Sequence, residues 1–171
     1  RQPELAATLR IVATEGRDGF YKGRVALDIV NYLTELGGLH TVDDFSHHSS
    51  EYVSPITSSY RGHDIYQCPP NSQGIAVLIM LGILEGFDLN KYEPLSVERL
   101  HLEAEATRLA YWVCEQTLGD PDQVEILVDE ITSKNHIAEL QDRVRLDRAA
   151  EGIPMVAPMH PETIYLTVVD S

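Results

Sequence analysis

The chain has 171 residues, enough for one globular domain with a real core, and its apolar content of 43% argues against intrinsic disorder. A formal net charge of −14, from 27 acidic and 13 basic residues, disfavours nucleic acid and anionic membrane as partners, because both select a basic surface. No apolar run is long enough to span a membrane. Cys68 and Cys114 are too few for a disulfide framework and have no C-x-x-C spacing, so we expect buried free thiols.

The first third of the chain predicts three helices. The first covers residues 3–15, ends at Gly16, and has an inward face of Leu5, Leu9 and Val12. The second covers residues 18–36 and is stopped by the glycine pair Gly37-Gly38. Thr41 has the character of an N-cap followed by acidic residues, which predicts a short third helix.

A β-hairpin is predicted next. Residues 51–59 and 63–68 have an extended pattern, and Tyr60-Arg61-Gly62 between them supplies the glycine that a tight turn requires.

The following helix runs to Leu84, with Asn71 and Ser72 as candidate N-caps. It is apolar all round, which predicts a central position in the core with Leu78 and Leu81 almost fully buried.

The longest helix is predicted for residues 97–117 with Ser96 as its cap, and a last one for residues 134–146 with Ser133 as its cap. In the longest helix we expect an inward stripe of Leu100, Ala104, Leu109 and Val113. The opposite, solvated face is expected to carry Glu103, Glu105 and Glu115.

The chain closes with a loop at residues 152–161, whose three prolines exclude a helix, and a predicted strand over residues 164–169. Thr163 stands where the loop becomes the strand, and two interpretations are open: a nucleophile, or an ordinary strand threonine. The strand is apolar on both faces, so it needs neighbours. We expect it to dock on the helices, fray, or pair with a second copy of the chain in a homodimer.

Together these elements define the fold class as mainly α: a helical domain with one β-hairpin and a C-terminal strand.

Six short motifs, in the right order, resemble the γ-glutamyltranspeptidase family of N-terminal-nucleophile hydrolases. They are Arg1-Gln2-Pro3-Glu4-Leu5-Ala6, Gly19-Phe20-Tyr21-Lys22-Gly23, Gly37-Gly38 with Thr41 and Asp44, Tyr60-Arg61-Gly62, Pro69-Pro70-Asn71-Ser72-Gln73-Gly74, and the junction Glu162-Thr163-Ile164-Tyr165-Leu166-Thr167-Val168-Val169-Asp170. Two positions depart from the family pattern: Tyr111-Trp112-Val113-Cys114 stands where members commonly carry Ala-Asp-Arg, and Pro161-Glu162 where they often have Gly-Asp.

The resemblance implies a fragment of an αββα hydrolase that acts on γ-glutamyl groups of glutathione-type substrates and is made as a zymogen. Residues 1–161 would be the helical C-terminal part of the large-subunit region, and residues 162–171 the processing junction and first strand of the small subunit. Autoproteolysis between Glu162 and Thr163 would release Thr163 as the catalytic nucleophile, whose own α-amine would be the base it needs. The remaining segments of the precursor would be its partners, with no cofactor or metal, and the fragment alone would be inactive.

Alternatives remain at the level of function. One is an acylase of the same superfamily that removes a dicarboxylate side chain from a β-lactam nucleus, and another is a non-catalytic helical interaction module. The compartment is also open between periplasmic or secreted and cytoplasmic, since a signal sequence would lie upstream of Arg1.

Three local features have a structural and a functional interpretation. Asn71-Ser72-Gln73-Gly74 is either a set of helix caps or an anion site. His160 either tunes processing or has no role. Four further histidines suggest a metal site but are better explained as solvated loop residues. They are His40, His47, His48 and His63.

Overall fold

The computed structural model describes residues 1–153 and 167–168. Contacts divide the chain into two compact units, the first covering Arg1–Tyr52 and the second beginning at Val53. Both are mainly helical, and the only sheet in the described residues is a two-stranded hairpin, so the mainly α prediction is confirmed for this part of the chain.

The first unit contains four helices: α1 Pro3–Glu15, α2 Arg17–Tyr21, α3 Arg24–Glu35 and α4 Val42–His47. The single helix predicted for residues 18–36 is therefore wrong. Lys22 has an extended backbone and Gly23 has a φ of +80°, a conformation that favours glycine and breaks the helix between α2 and α3.

The inward face predicted for α1 is also wrong. Leu5 and Leu9 are 51% and 59% exposed, and α1 has no buried residue. The buried residues of this unit lie instead on α2 and α3, at Gly19, Val25, Ala26 and Val30. An apolar spacing identifies a face that is able to pack, but it does not supply the partner.

The start of α4 follows the sequence prediction closely. The Thr41 hydroxyl accepts from the Asp44 backbone N–H, and the Asp44 carboxylate accepts from the Thr41 backbone N–H at 2.7 Å, which completes a capping box. The Thr41 hydroxyl also donates to the Asp44 carboxylate at 2.8 Å, and this bond, together with the one from the Thr41 backbone N–H, lowers the pKa of Asp44. The far end of α4 is held by Arg17, which donates to the carbonyl oxygens of Ser46 and His48.

The second unit begins with the predicted hairpin, β1 Ile56–Tyr60 and β2 His63–Gln67, paired antiparallel from Ile56 opposite Gln67 to Tyr60 opposite His63. The two turn residues, Arg61 and Gly62, both have positive φ (50° and 83°), as a type I′ turn requires. The Arg61 backbone N–H donates to the Glu85 carboxylate at 3.1 Å and its guanidinium donates to the Phe87 carbonyl at 3.1 Å, which fixes the turn.

The rest of the second unit is helical: α5 Gly74–Glu85, a 3-10 turn Leu89–Lys91, α6 Val97–Thr117, α7 Val128–Ile131 and α8 Lys134–Arg143. Ser96 and Ser133 cap α6 and α8 as predicted. Helix α8 ends at Arg143, three residues before the predicted end at Leu146, because the backbone of Val144 is extended. The short helix α7 was not predicted from the sequence pattern.

Helix α5 is the centre of the core, with α6, α8 and the hairpin packed against it. Its largest fully buried side chains are Ile75, Ile79 and Ile83. The predicted burial of Leu78 is confirmed, at 2% exposure, whereas Leu81 is only half-buried.

The buried stripe of α6 differs from the predicted one. Leu109 and Val113 are buried as predicted, but Leu100 is 48% exposed and Ala104 is exposed. The stripe continues through Leu102 and Ala106 instead, because the face that meets α5 is rotated around the helix axis from the face we chose.

Most of the predicted terminal strand and its pairing with a second copy lie outside the described residues. Of the strand only Thr167 and Val168 are described, and neither belongs to a strand; the Val168 side chain is 82% exposed. In the described part of the chain, no helix combines the length and apolar character of a membrane crossing.

Candidate processing site

Thr163, the predicted nucleophile, and its neighbours Glu162 and His160 lie outside the described residues. The structure does describe the chain up to Ile153, ten residues before Thr163. The last described part of this approach, residues 145–153, is called the approach segment below. In the sequence, this segment leads toward Thr163.

Three polar side chains of α6 hold the approach segment by its backbone. His101 Nε2 donates to the Arg145 carbonyl at 2.6 Å. The Glu105 carboxylate accepts from the Ala150 N–H at 2.6 Å, and Arg108 Nη2 donates to the Ile153 carbonyl at 3.1 Å. Backbone groups of the segment are thus held by side chains 44 and 45 residues away in the sequence.

Glu105 and Arg108 also pair with each other: Nη1 of Arg108 donates to the second carboxylate oxygen of Glu105. The Glu105 residue is only 3% exposed, and it is the one buried charged residue among those the structure describes. A carboxylate at that depth is retained only with hydrogen bonds and a counter-charge, and here it has both.

The assignment of Glu105 to a solvated helix face is therefore wrong. Glu103 forms an ion pair with Arg99 at 3.0 Å on a half-exposed face, and Glu115 is exposed, so the interpretation fails only for Glu105. A signal was present in the sequence: Glu105 lies three residues after Leu102 and four before Leu109, on the stripe that is buried.

The turn before α5 is organised by local hydrogen bonds. The Ser72 hydroxyl donates to the Cys68 carbonyl at 2.9 Å, while the N-cap of α5 is Gln73, which makes no side-chain capping bond. The N-cap position therefore differs from the predicted Asn71 or Ser72, but the Ser72 hydroxyl does accept from the N–H of Gly74, the first residue of α5, at 3.4 Å. A Cβ on Gly74 would lie 2.8 Å from the Cys68 carbonyl oxygen, so the close return of the chain requires glycine there.

The histidines do not converge in the described residues. His47 Nδ1 donates to the Asp43 carbonyl at 2.8 Å, and the His48 ring stacks on Tyr21 with centroids 5.0 Å apart. No group of three or more His, Cys, Asp or Glu side chains in this part of the chain is arranged to hold a metal ion.

A surface groove of about 620 Å³ lies where α6, α7 and α8 meet. Its rim carries the acidic residues Asp129, Glu130 and Glu139 together with His136, and Trp112 forms part of its wall. None of the α6 side chains that hold the approach segment lines this groove, so the two features are separate.

The two cysteines have opposite environments. Cys114 is buried as predicted, and burial, with a smaller contribution from the charge of Glu115, raises its pKa to about 11. Cys68 is exposed, so the expectation of two buried thiols is wrong for Cys68.

This difference predicts selective alkylation. At pH 8 a thiol with a pKa of about 11 is thiolate in roughly one molecule in a thousand, so iodoacetamide should label Cys68 and leave Cys114 unmodified in the folded protein. Peptide mass spectrometry after a timed reaction measures both sites. The Cys68→Ser variant should then take up label only after unfolding, and rapid labelling of Cys114 in the native state would contradict the prediction.

Comparison with known proteins agrees with the motifs. The model of the gamma-glutamyltranspeptidase family matches residues 1–171, and the chain belongs to this family. The glutathione hydrolase-like YwrD proenzyme of Bacillus subtilis is 35% identical over 99% of this chain and 32% of its own length. The acylase ACY 1 proenzyme of Pseudomonas sp. strain SE83 is 30% identical over 99% of this chain and 31% of its own length.

The fold agrees as well. The crystal structure of gamma-glutamyltranspeptidase from Helicobacter pylori superposes with a TM-score of 0.71 and 30% identity, over 95% of this chain and 48% of that one. The chain thus spans about a third of the length of the curated relatives it matches, which are glutathione hydrolase and acylase proenzymes. It corresponds to part of the large-subunit region.

Proposed function

We propose that this chain is the processing-junction region of a γ-glutamyl hydrolase or transferase whose nucleophile is Thr163. The observation that carries the proposal is the family match over all 171 residues, together with Thr163 at the junction motif Glu162-Thr163-Ile164-Tyr165. Residues 1–161 then belong to the large-subunit region, and residues 162–171 are the processing junction, in which Glu162 ends the large subunit and Thr163 begins the small one.

Activation starts with self-cleavage. The Thr163 hydroxyl attacks the Glu162 carbonyl carbon, the peptide C–N bond breaks, and the hydroxyl proton ends on the released nitrogen. Water then hydrolyses the resulting ester, which leaves a carboxylate on Glu162 and restores the hydroxyl of Thr163. The product is an N-terminal threonine with a free amine, whose reference pKa of about 7.7–8.0 suits a base at neutral pH.

Catalysis uses the same hydroxyl. The α-amine of Thr163 takes the hydroxyl proton while the oxygen attacks the γ-glutamyl amide, and the departing amine receives that proton. The γ-glutamyl ester left on Thr163 is released by water, which is hydrolysis, or by a second amine, which is transfer.

The test is made on the complete precursor. Intact mass spectrometry should find a break before Thr163, and the processed protein should release the chromophore from a γ-glutamyl anilide. A precursor that folds, stays uncleaved and does not turn over the anilide would refute the proposal.

A second candidate is an acylase acting on a dicarboxylate side chain of a β-lactam. The acylase proenzymes among the relatives favour it, and it uses the same processing and the same nucleophile. Comparing kcat/KM for the γ-glutamyl anilide with that for a glutaryl β-lactam on one enzyme preparation decides between them.

The 171-residue chain by itself should have no activity toward γ-glutamyl amides. In it Thr163 is internal, so its nitrogen is part of an amide and cannot act as a base. The measurement is anilide turnover by the purified chain, with its Thr163→Ala variant as control. Turnover that the variant loses would contradict the prediction.

A further inference from the structure

The three side chains that hold the approach segment follow a regular spacing on α6. His101, Glu105 and Arg108 are at positions i, i+4 and i+7, which lie on one face of a helix. Their backbone partners follow in the same order along the chain, at residues 145, 150 and 153. The approach segment therefore runs parallel to α6, from the level of His101 to that of Arg108.

These contacts fix the position of the approach segment along α6, because the length of the segment alone does not. The seven steps along α-helix from His101 to Arg108 advance about 10 Å, whereas the eight steps from Arg145 to Ile153 reach up to about 29 Å when extended. The segment has ample slack along this path. The position of the chain at Ile153 is therefore determined by the groups that bind it there.

The end of the segment is held in two ways. The side chains of Ala150 and Ile153 are buried in the core cluster of the second unit, and Glu105 and Arg108 bind the backbone of the same two residues. In addition, Arg108 Nε is buried and has no hydrogen-bond acceptor within the described residues.

We propose that Glu105 and Arg108 are positioning residues for self-cleavage before Thr163. They fix the chain at Ala150 and Ile153, so the ten residues that lead to Thr163 start from a defined point and direction. The inference rests on the proposed function, because it concerns the processing step.

The physical reason is the sensitivity of an intramolecular reaction to geometry. The Thr163 hydroxyl must approach the carbonyl of its own neighbour at near-attack distance, and a displacement of about 1 Å can cost about 100-fold in rate. Ten residues span up to about 36 Å, so an upstream end that is free samples many more positions than one that is fixed.

The experiment follows cleavage of the complete precursor with time, by gel and intact mass, in the wild type and in Arg108→Ala, Glu105→Ala and Glu105→Gln. We expect Arg108→Ala and Glu105→Ala to slow cleavage by about 100-fold. Glu105→Gln keeps an acceptor for the Ala150 N–H but loses the charge pairing with Arg108. Its cleavage rate should therefore lie between the rates of the wild type and of Glu105→Ala. Arg108→Lys should restore part of the cleavage rate that Arg108→Ala loses. A merely structural role for Arg108 would not predict this partial recovery.

The same helix supplies matched controls. Arg99 and Glu103 form a more exposed ion pair on α6 at 3.0 Å, and in the described residues no hydrogen bond joins their side chains to the approach segment, so Arg99→Ala and Glu103→Ala should be cleaved at the wild-type rate. Rates are measured on the folded fraction isolated by size exclusion. If the alanine variants do not fold, Glu105→Gln decides: slower cleavage at an unchanged Tm supports the proposal, and an unchanged rate overturns it.

Folded Arg108→Ala that is cleaved at the wild-type rate would overturn the inference and leave the proposed function intact. A folded wild-type precursor that is never cleaved before Thr163 would instead refute the proposed function, and the inference with it.

Discussion

Replacing Thr163 by alanine in the complete precursor is expected to abolish both self-cleavage and γ-glutamyl turnover. The variant lacks the hydroxyl that attacks the Glu162 carbonyl and later carries the acyl group. Removing a covalent nucleophile lowers kcat by a factor on the order of 10⁶ in a well-studied hydrolase, and a loss of that scale is expected here. Gel analysis and a γ-glutamyl anilide assay measure the two effects.

Two variants act as controls for this loss. Thr163→Ser keeps a hydroxyl and should still be cleaved, whereas Thr167→Ala removes a hydroxyl four residues later and should leave cleavage unchanged. Normal cleavage and turnover in Thr163→Ala would show that the nucleophile lies elsewhere.

The second large effect is expected in the core. Leu109 on α6 is fully buried in the cluster around α5, so Leu109→Ala should lower the free energy of unfolding by about 2–5 kcal/mol. The loss combines the transfer free energy of the removed methyl and methylene groups with the cavity left behind. Urea unfolding of the 171-residue chain, followed by circular dichroism, measures it.

The matched control is Leu100→Ala, the same substitution two and a half turns earlier on the same helix. Leu100 is 48% exposed, so its replacement should change the free energy of unfolding by less than about 0.5 kcal/mol. Equal losses at the two positions would mean that the burial described for α6 is not the one the protein has in solution.

Local interactions explain which elements the sequence predicted well. Capping hydrogen bonds join residues only three apart, so they can be predicted from residues close together in the sequence. This holds for the capping box of Thr41 and Asp44 and for the N-caps Ser96 and Ser133. The turn of the hairpin is equally readable from the sequence, because the adjacent residues Arg61 and Gly62 adopt the positive φ that it requires.

Faces and breaks were predicted less well, for a different reason. Whether Leu9 or Leu100 is buried depends on which helix packs against its face of the helix. The hydrophobic periodicity of the sequence does not contain this information. Gly23 breaks the predicted second helix because its backbone adopts positive φ, a conformation that glycine permits but does not require.

By itself, the sequence determined the family, since the junction Glu162-Thr163-Ile164-Tyr165 and the other ordered motifs are patterns of adjacent residues. Only the tertiary structure revealed how Glu105 and Arg108 hold Ala150 and Ile153. Those contacts join residues 45 apart, and a buried carboxylate becomes favourable only once folding has placed a guanidinium and a backbone N–H beside it.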